Sequence, residues 1–233
     1  MSSKNVNQTT IWKAIYRSIL VLVICTVMFL LGPGYLYWRS TRGELLFVQN
    51  ASDDILAISY QTFVTILFPI VLFVLFVFLL KKEFPSRMYF NLKGKWQRIS
   101  VTILCFAILG ITIYCLITKA DNLTILFNLV YYVVAVAFVE EFVVRDVCTD
   151  LLRSYTWPIR YLVPNICFAF IHIFSYAHFQ PITGSFLLHF VTSDINGLVF
   201  AGCVSQLLKE KSGTIWIPIL LHALMDFSYV LEY

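Results

Sequence analysis

Charge is what this chain has least of. Asp, Glu, Lys and Arg make up 13% of its 233 residues, against about 25% in a soluble globular domain. So little polar surface cannot cover a composition that is 60% apolar, which excludes a water-soluble fold of this size. The six cysteines (Cys25, Cys105, Cys115, Cys148, Cys167 and Cys203) include no CxxC pair. No zinc knuckle or disulfide framework is therefore indicated, and the thiols read as small buried hydrophobes. There is no HExxH motif, no low-complexity tract, no long linker and no obvious repeat. No small-residue cleavage site follows the apolar stretch from Ile19 to about Leu31. It continues instead through Gly-Pro-Gly to Tyr37 and Trp38, so it reads as an uncleaved first span rather than a signal peptide.

What is present points to the bilayer. Mean hydropathy is +0.82, and the 21 Phe and 13 Tyr suit lipid-facing surfaces and interfacial belts. Crossing about 30 Å of hydrocarbon takes about 20 residues of helix. Apolar runs of that order lie at roughly 15–37, 55–80, 99–118, 123–152, 159–178, 182–207 and 214–231. The expectation is one all-α integral membrane domain over 1–233, a polytopic bundle of seven or eight transmembrane helices. Residues 1–120 supply N-terminal spans and 121–233 a polar-motif core. The fourth run is long enough to tilt or to extend past the membrane. The sixth is interrupted by His189, Asp194 and Asn196, and a break there would give the eighth span.

The +4 net charge reflects topology rather than nucleic-acid binding. With the N-terminus in the cytoplasm, 13 Lys and Arg residues fall on that side and 3 on the other, as the positive-inside rule requires. Lys209 and Lys211 are among the 13. The basic stretch from Lys81 to Arg98 reads as a topology determinant and lipid-headgroup contact.

Ionisable residues inside hydrocarbon cost about 2.5–3.5 kcal/mol each on insertion scales, so each needs a reason. In the fourth run Glu140 and Glu141 follow a long apolar stretch and precede Arg145. Glu141 and Arg145 are spaced i, i+4 with the acid first, the favourable order for a helical ion pair. Glu140 points about 100° away and lacks that partner, which suits a general base. His172 stands among apolar neighbours in the fifth run. The last run carries His222 and Asp226, again i, i+4, so that the carboxylate can orient the ring. Counted at about 1.5 Å per residue from the cytoplasmic end of each span, Glu140 and His172 lie about 18 Å deep and His222 about 12 Å. Three spans thus bring ionisable groups to one layer, in a polar cavity expected to open towards the cytoplasmic half. His189, Asp194 and Asn196 are further candidates to line it. His178 reads as interfacial, and Gly197 and Gly202 as sites of close helix approach.

Three motifs in order resemble a known family. Glu140-Glu141-Phe-Val-Val-Arg145 matches EExxxR, Phe168-Ala-Phe-Ile-His172 matches FxxxH, and His222-Ala-Leu-Met-Asp226 matches HxxxN/D. This pattern, over roughly residues 125–230, is similar to the CPBP (CAAX protease and bacteriocin-processing, or Abi) intramembrane proteases, which include the eukaryotic Ras-converting CAAX endopeptidase. The resemblance implies that Glu140 activates water with help from His172, and that His222 and Asp226 organise the oxyanion site. Glu141, Arg145 and Phe168 would support them. The eukaryotic enzymes carry Asn where this chain has Asp226, a poor oxyanion donor that is better placed to orient His222. The expected substrate is a membrane-associated or hydrophobic peptide, met among membrane lipids, in bacteriocin or signal-peptide processing or self-immunity. The short loops suggest a bacterial plasma membrane. A metal-independent mechanism is favoured, yet Glu140, His172 and His222 would also serve as a zinc set with an open position for water. A non-catalytic scaffold or immunity protein and a small proton-coupled transporter are the alternatives.

Overall fold

The structure is a computed structural model, and it describes residues 8–31, 71, 90–119, 122–177, 181–228 and 231. Described residues are helical or in short connections, with no strand among them. Six helices organise them: α1 (Gln8–Leu31), α2 (Lys95–Thr118), α3 (Asn122–Leu151), α4 (Trp157–Ile171), α5 (Gly184–Ser212) and α6 (Trp216–Ser228). Helices α2, α3 and α5 are long and apolar enough to cross a membrane. At 30 residues, α3 spans about 45 Å, well beyond the hydrocarbon thickness, in keeping with the length of the fourth apolar run.

Local chemistry sets the helix ends. The Gln97 side chain reaches back to accept from the Gly94 N–H at 2.7 Å. Pro158 opens α4 where its missing N–H costs nothing. Thr183 accepts from the Phe186 N–H at 3.2 Å and caps α5. Gly213, at φ 69°, closes α5 in the left-handed conformation that glycine tolerates, and its N–H bonds the Lys209 carbonyl.

Helix α3 is the axis of the bundle. Every residue from Glu141 to Thr149 is buried, with α6 and the C-terminal part of α4 packed against it. Phe142, Val144, Cys148, Ile219 and Phe227 fill the main core. An aromatic layer closes one end, with Phe90 stacked on Phe142 at 5.5 Å and Trp216 donating its indole N–H to the Phe90 carbonyl at 3.1 Å. Outward positions such as Phe106, Ile117 and Phe200 are exposed and apolar, as lipid contact requires. Arg17 of α1 bonds Ser154 in the α3–α4 turn, and Gln97 at the start of α2 bonds the Ser212 carbonyl at the end of α5.

The second apolar run, 55–80, lies outside the described residues but for Val71, and His178 lies wholly outside them. The sixth run is one continuous helix, α5, because Asp194 and Asn196 sit on its surface and do not interrupt the backbone. Gly197 has nothing near its missing Cβ, whereas one at Gly202 would meet the Asn165 and Arg145 side chains, so only Gly202 permits a close approach. Lys209 is no free topology charge: it is 1% exposed and paired with Asp146 at 2.6 Å.

Candidate active site

The polar residues singled out in three separate runs meet. Glu140 Oε2 lies 3.6 Å from His172 Nε2 and 3.8 Å from His222 Nε2. All three side chains are about four-fifths buried. Glu140 Oε2 is sealed from solvent without a hydrogen-bond partner among the described residues. A carboxylate oxygen thus faces two imidazoles with one face unsatisfied.

Each ring is held by its other nitrogen or by a neighbour. His172 stands where α4 ends, and its Nδ1 is 2.9 Å from the Phe168 carbonyl. A carbonyl only accepts, so Nδ1 carries the proton and Nε2 is the nitrogen turned to Glu140. The ring also packs edge-on against Phe168, 4.4 Å between centroids. His222 Nδ1 is 2.9 Å from Glu141 Oε1, and its Nε2 is 3.3 Å from Asp226 Oδ2.

Glu141 is the hub beneath. It is 1% exposed and takes the His222 N–H, the Ser205 hydroxyl at 2.5 Å and the Arg145 guanidinium, Nε to Oε2 3.3 Å. The Arg145 guanidinium in turn lies 4.2 Å over the Phe168 ring, a cation–π contact worth more in a dry interior than at a surface.

The backbone of α3 is adapted to this load. Wide, π-type turns at Tyr131–Phe138 and Phe142–Cys148 flank Glu140 and Glu141, a feature common near functional residues. The Thr149 N–H bonds the carbonyls of Asp146 and Val144 and passes over that of Arg145. The skipped oxygen is taken instead by Lys209 Nζ at 2.6 Å and by the Thr149 hydroxyl. Asp146 neutralises the lysine. Two side chains therefore replace one ladder bond at the turn that aims Arg145 at Glu141.

Residues 121–228 match the family model described as Type II CAAX prenyl endopeptidase Rce1-like. This segment is a domain of the CPBP/CAAX protease family. No curated protein and no solved structure matches the chain. The Rce1-like family is a protease family, and its membrane setting agrees with the three long apolar helices.

Within this CAAX protease domain, every motif residue expected from the sequence falls in one cluster. Glu140, His172, His222 and Asp226 line its upper layer; Glu141, Arg145 and Phe168 support it from below. His189 and Asp194 do not join. They face each other at 3.8 Å on the outside of α5, and exposed Asn196 bonds the Thr192 carbonyl of its own helix. Motif and depth arguments do not pick out Ser205, Lys209, Asp146, Asn165 or Gln206. One signal does exist for two of them, since Ser205 and Lys209 are i, i+4 on the face of α5 that meets α3. Among the described residues no group of three or more His, Cys, Asp or Glu side chains is arranged to hold a metal ion.

Proposed function

We propose that the protein is an intramembrane endopeptidase that hydrolyses a peptide bond in a membrane-associated or hydrophobic peptide, with Glu140 activating the water. The observation that carries the reading is Glu140 Oε2, buried, without a hydrogen-bond partner among the described residues and within 4 Å of two imidazole nitrogens. Water placed between Glu140 and His172 gives its proton to the carboxylate and attacks the peptide carbonyl carbon. His222, anchored through Nδ1, offers Nε2 towards the developing oxyanion. The proton held by Glu140 then passes to the leaving amine as the C–N bond breaks. Asp226 orients His222 and does not itself donate. A role in bacteriocin processing or self-immunity fits such an activity in a bacterial plasma membrane.

The test compares peptide termini by mass spectrometry between host cells that express wild type or Glu140→Ala at matched membrane levels. New termini that depend on Glu140 are expected and would name candidate substrates. Identical termini, with the cellular phenotype rescued by Glu140→Ala, would favour a non-catalytic scaffold or immunity role. Flux driven by a pH gradient would favour the transporter.

A further inference from the structure

Hydrolysis consumes one water for each bond cut, and this site lies among apolar helices. The α4–α5 contact carries a stripe of polar groups leading to it. On α5, Gly202, Gln206 and Glu210 follow one another at i, i+4 and i+8, and on α4, Tyr161 and Asn165 at i, i+4, so each set shares a helix face. The outer end is exposed and ionic: Glu210 accepts from the Tyr161 hydroxyl at 2.8 Å and from Arg160 at 3.1 Å. Gln206, 1% exposed, donates to the other Glu210 oxygen at 2.8 Å. Asn165, 0% exposed, donates to the Tyr161 carbonyl at 2.8 Å and touches Cys203 Sγ at 3.7 Å. The inner end is Arg145, paired with Glu141.

Along this stripe the polar atoms are not all engaged. Gln206 Oε1, Asn165 Oδ1 and Arg145 Nη1 are buried and have no hydrogen-bond partner among the described residues. The first two only accept and the last only donates. Direct pairing would satisfy both kinds, yet they stay apart. Water does the same while adding reach, because it donates to the amide oxygens and accepts from the guanidinium. Gly202 lets α5 close onto these two side chains, since a Cβ there would run into Asn165 and Arg145.

We propose that the α4–α5 seam is a water-binding passage, which holds ordered water between Gln206, Asn165 and Arg145 and supplies it from the Glu210 edge to the catalytic layer. The site stands on its own geometry; its purpose rests on the hydrolytic reading above.

Hydroxyl-radical footprinting of the protein in lipid nanodiscs tests this, with side-chain oxidation read residue by residue by mass spectrometry. Irradiated water is the probe. Cys203, beside Asn165, is expected to oxidise roughly tenfold faster than core-buried Cys148, because thiol oxidation follows access to the oxidant. Gln206→Leu, nearly the same size, should bring Cys203 down to the Cys148 rate and slow turnover with KM unchanged. Asn165→Leu, on the opposite helix, should act alike and guards against a folding defect in either variant. A Cys203 rate equal to that of Cys148 in the wild type, or unmoved by both substitutions, overturns the proposal whether or not the protein cleaves peptides. Fast Cys203 oxidation abolished by Gln206→Leu, in a protein with no Glu140-dependent cleavage, leaves the passage standing and removes the protease.

Discussion

His222 Nδ1 donates to Glu141 Oε1 across 2.9 Å, and this bond ties the last helix to the buried ion pair at the centre of the bundle. A carboxylate expected only to support the architecture therefore also sets the rotation of a candidate catalytic ring. Outer partners of this kind hold the reacting groups in place, and site geometry is sensitive to shifts of about 1 Å.

Glu141→Ala should be the most damaging single change at the site. It leaves Arg145 buried without its carboxylate, a loss of about 3–5 kcal/mol, and frees His222. Ser205→Ala removes one hydrogen bond to a charged group, about 1.5–3 kcal/mol, with the ring still anchored. Thermal unfolding in detergent should rank the two in that order. Equal stability for Glu141→Ala and wild type would show that the ion pair is not buried as described.

Asp226→Asn keeps the shape of the side chain and restores the residue found in the eukaryotic CAAX enzymes. If Asp226 orients His222, the amide should hold peptide cleavage within roughly tenfold of wild type, while Asp226→Ala should lose about 10–100-fold, as loss of an orienting partner does. A single-turnover assay separates them. Indistinguishable Asn and Ala variants would remove Asp226 from the site.

Lys209 and Asp146 should be coupled. Lys209→Met alone strands a buried carboxylate and takes one of two side-chain donors from the Arg145 carbonyl, at a cost of about 3–5 kcal/mol. Adding Asp146→Leu removes the stranded charge and should recover most of that loss, because replacing a whole buried pair by apolar groups is often neutral. A double-mutant cycle of melting temperatures measures this. Additive losses would contradict direct pairing.

Chelation decides the role of metal. With Glu140 as the base, dialysis against a zinc chelator should leave the cleavage rate unchanged, and added zinc should not raise it. Loss on chelation and recovery with zinc would assign Glu140, His172 and His222 to a metal instead.

Much of this protein is legible in its amino-acid sequence. The scarcity of charge places the chain in a membrane, and the apolar runs at 99–118 and 123–152 agree with α2 and α3 to within a few residues. Glu141–Arg145 and His222–Asp226 follow from i, i+4 spacing, which is local arithmetic on a single helix. The layer shared by Glu140, His172 and His222 comes from counting rise per residue, since a bilayer imposes one axis on every span.

Tertiary structure decided the rest. That His222 meets Glu141, 81 residues away, and that Ser205 meets it from 64 residues away, depends on how α3, α5 and α6 turn about their axes. Spacing along one helix cannot report that rotation. Lys209 shows the same limit: near a span end it reads as a topology charge, until packing of α5 on α3 buries it against Asp146 and the Arg145 carbonyl. Periodicity tells which face of a helix is polar; only the assembled bundle tells what that face touches.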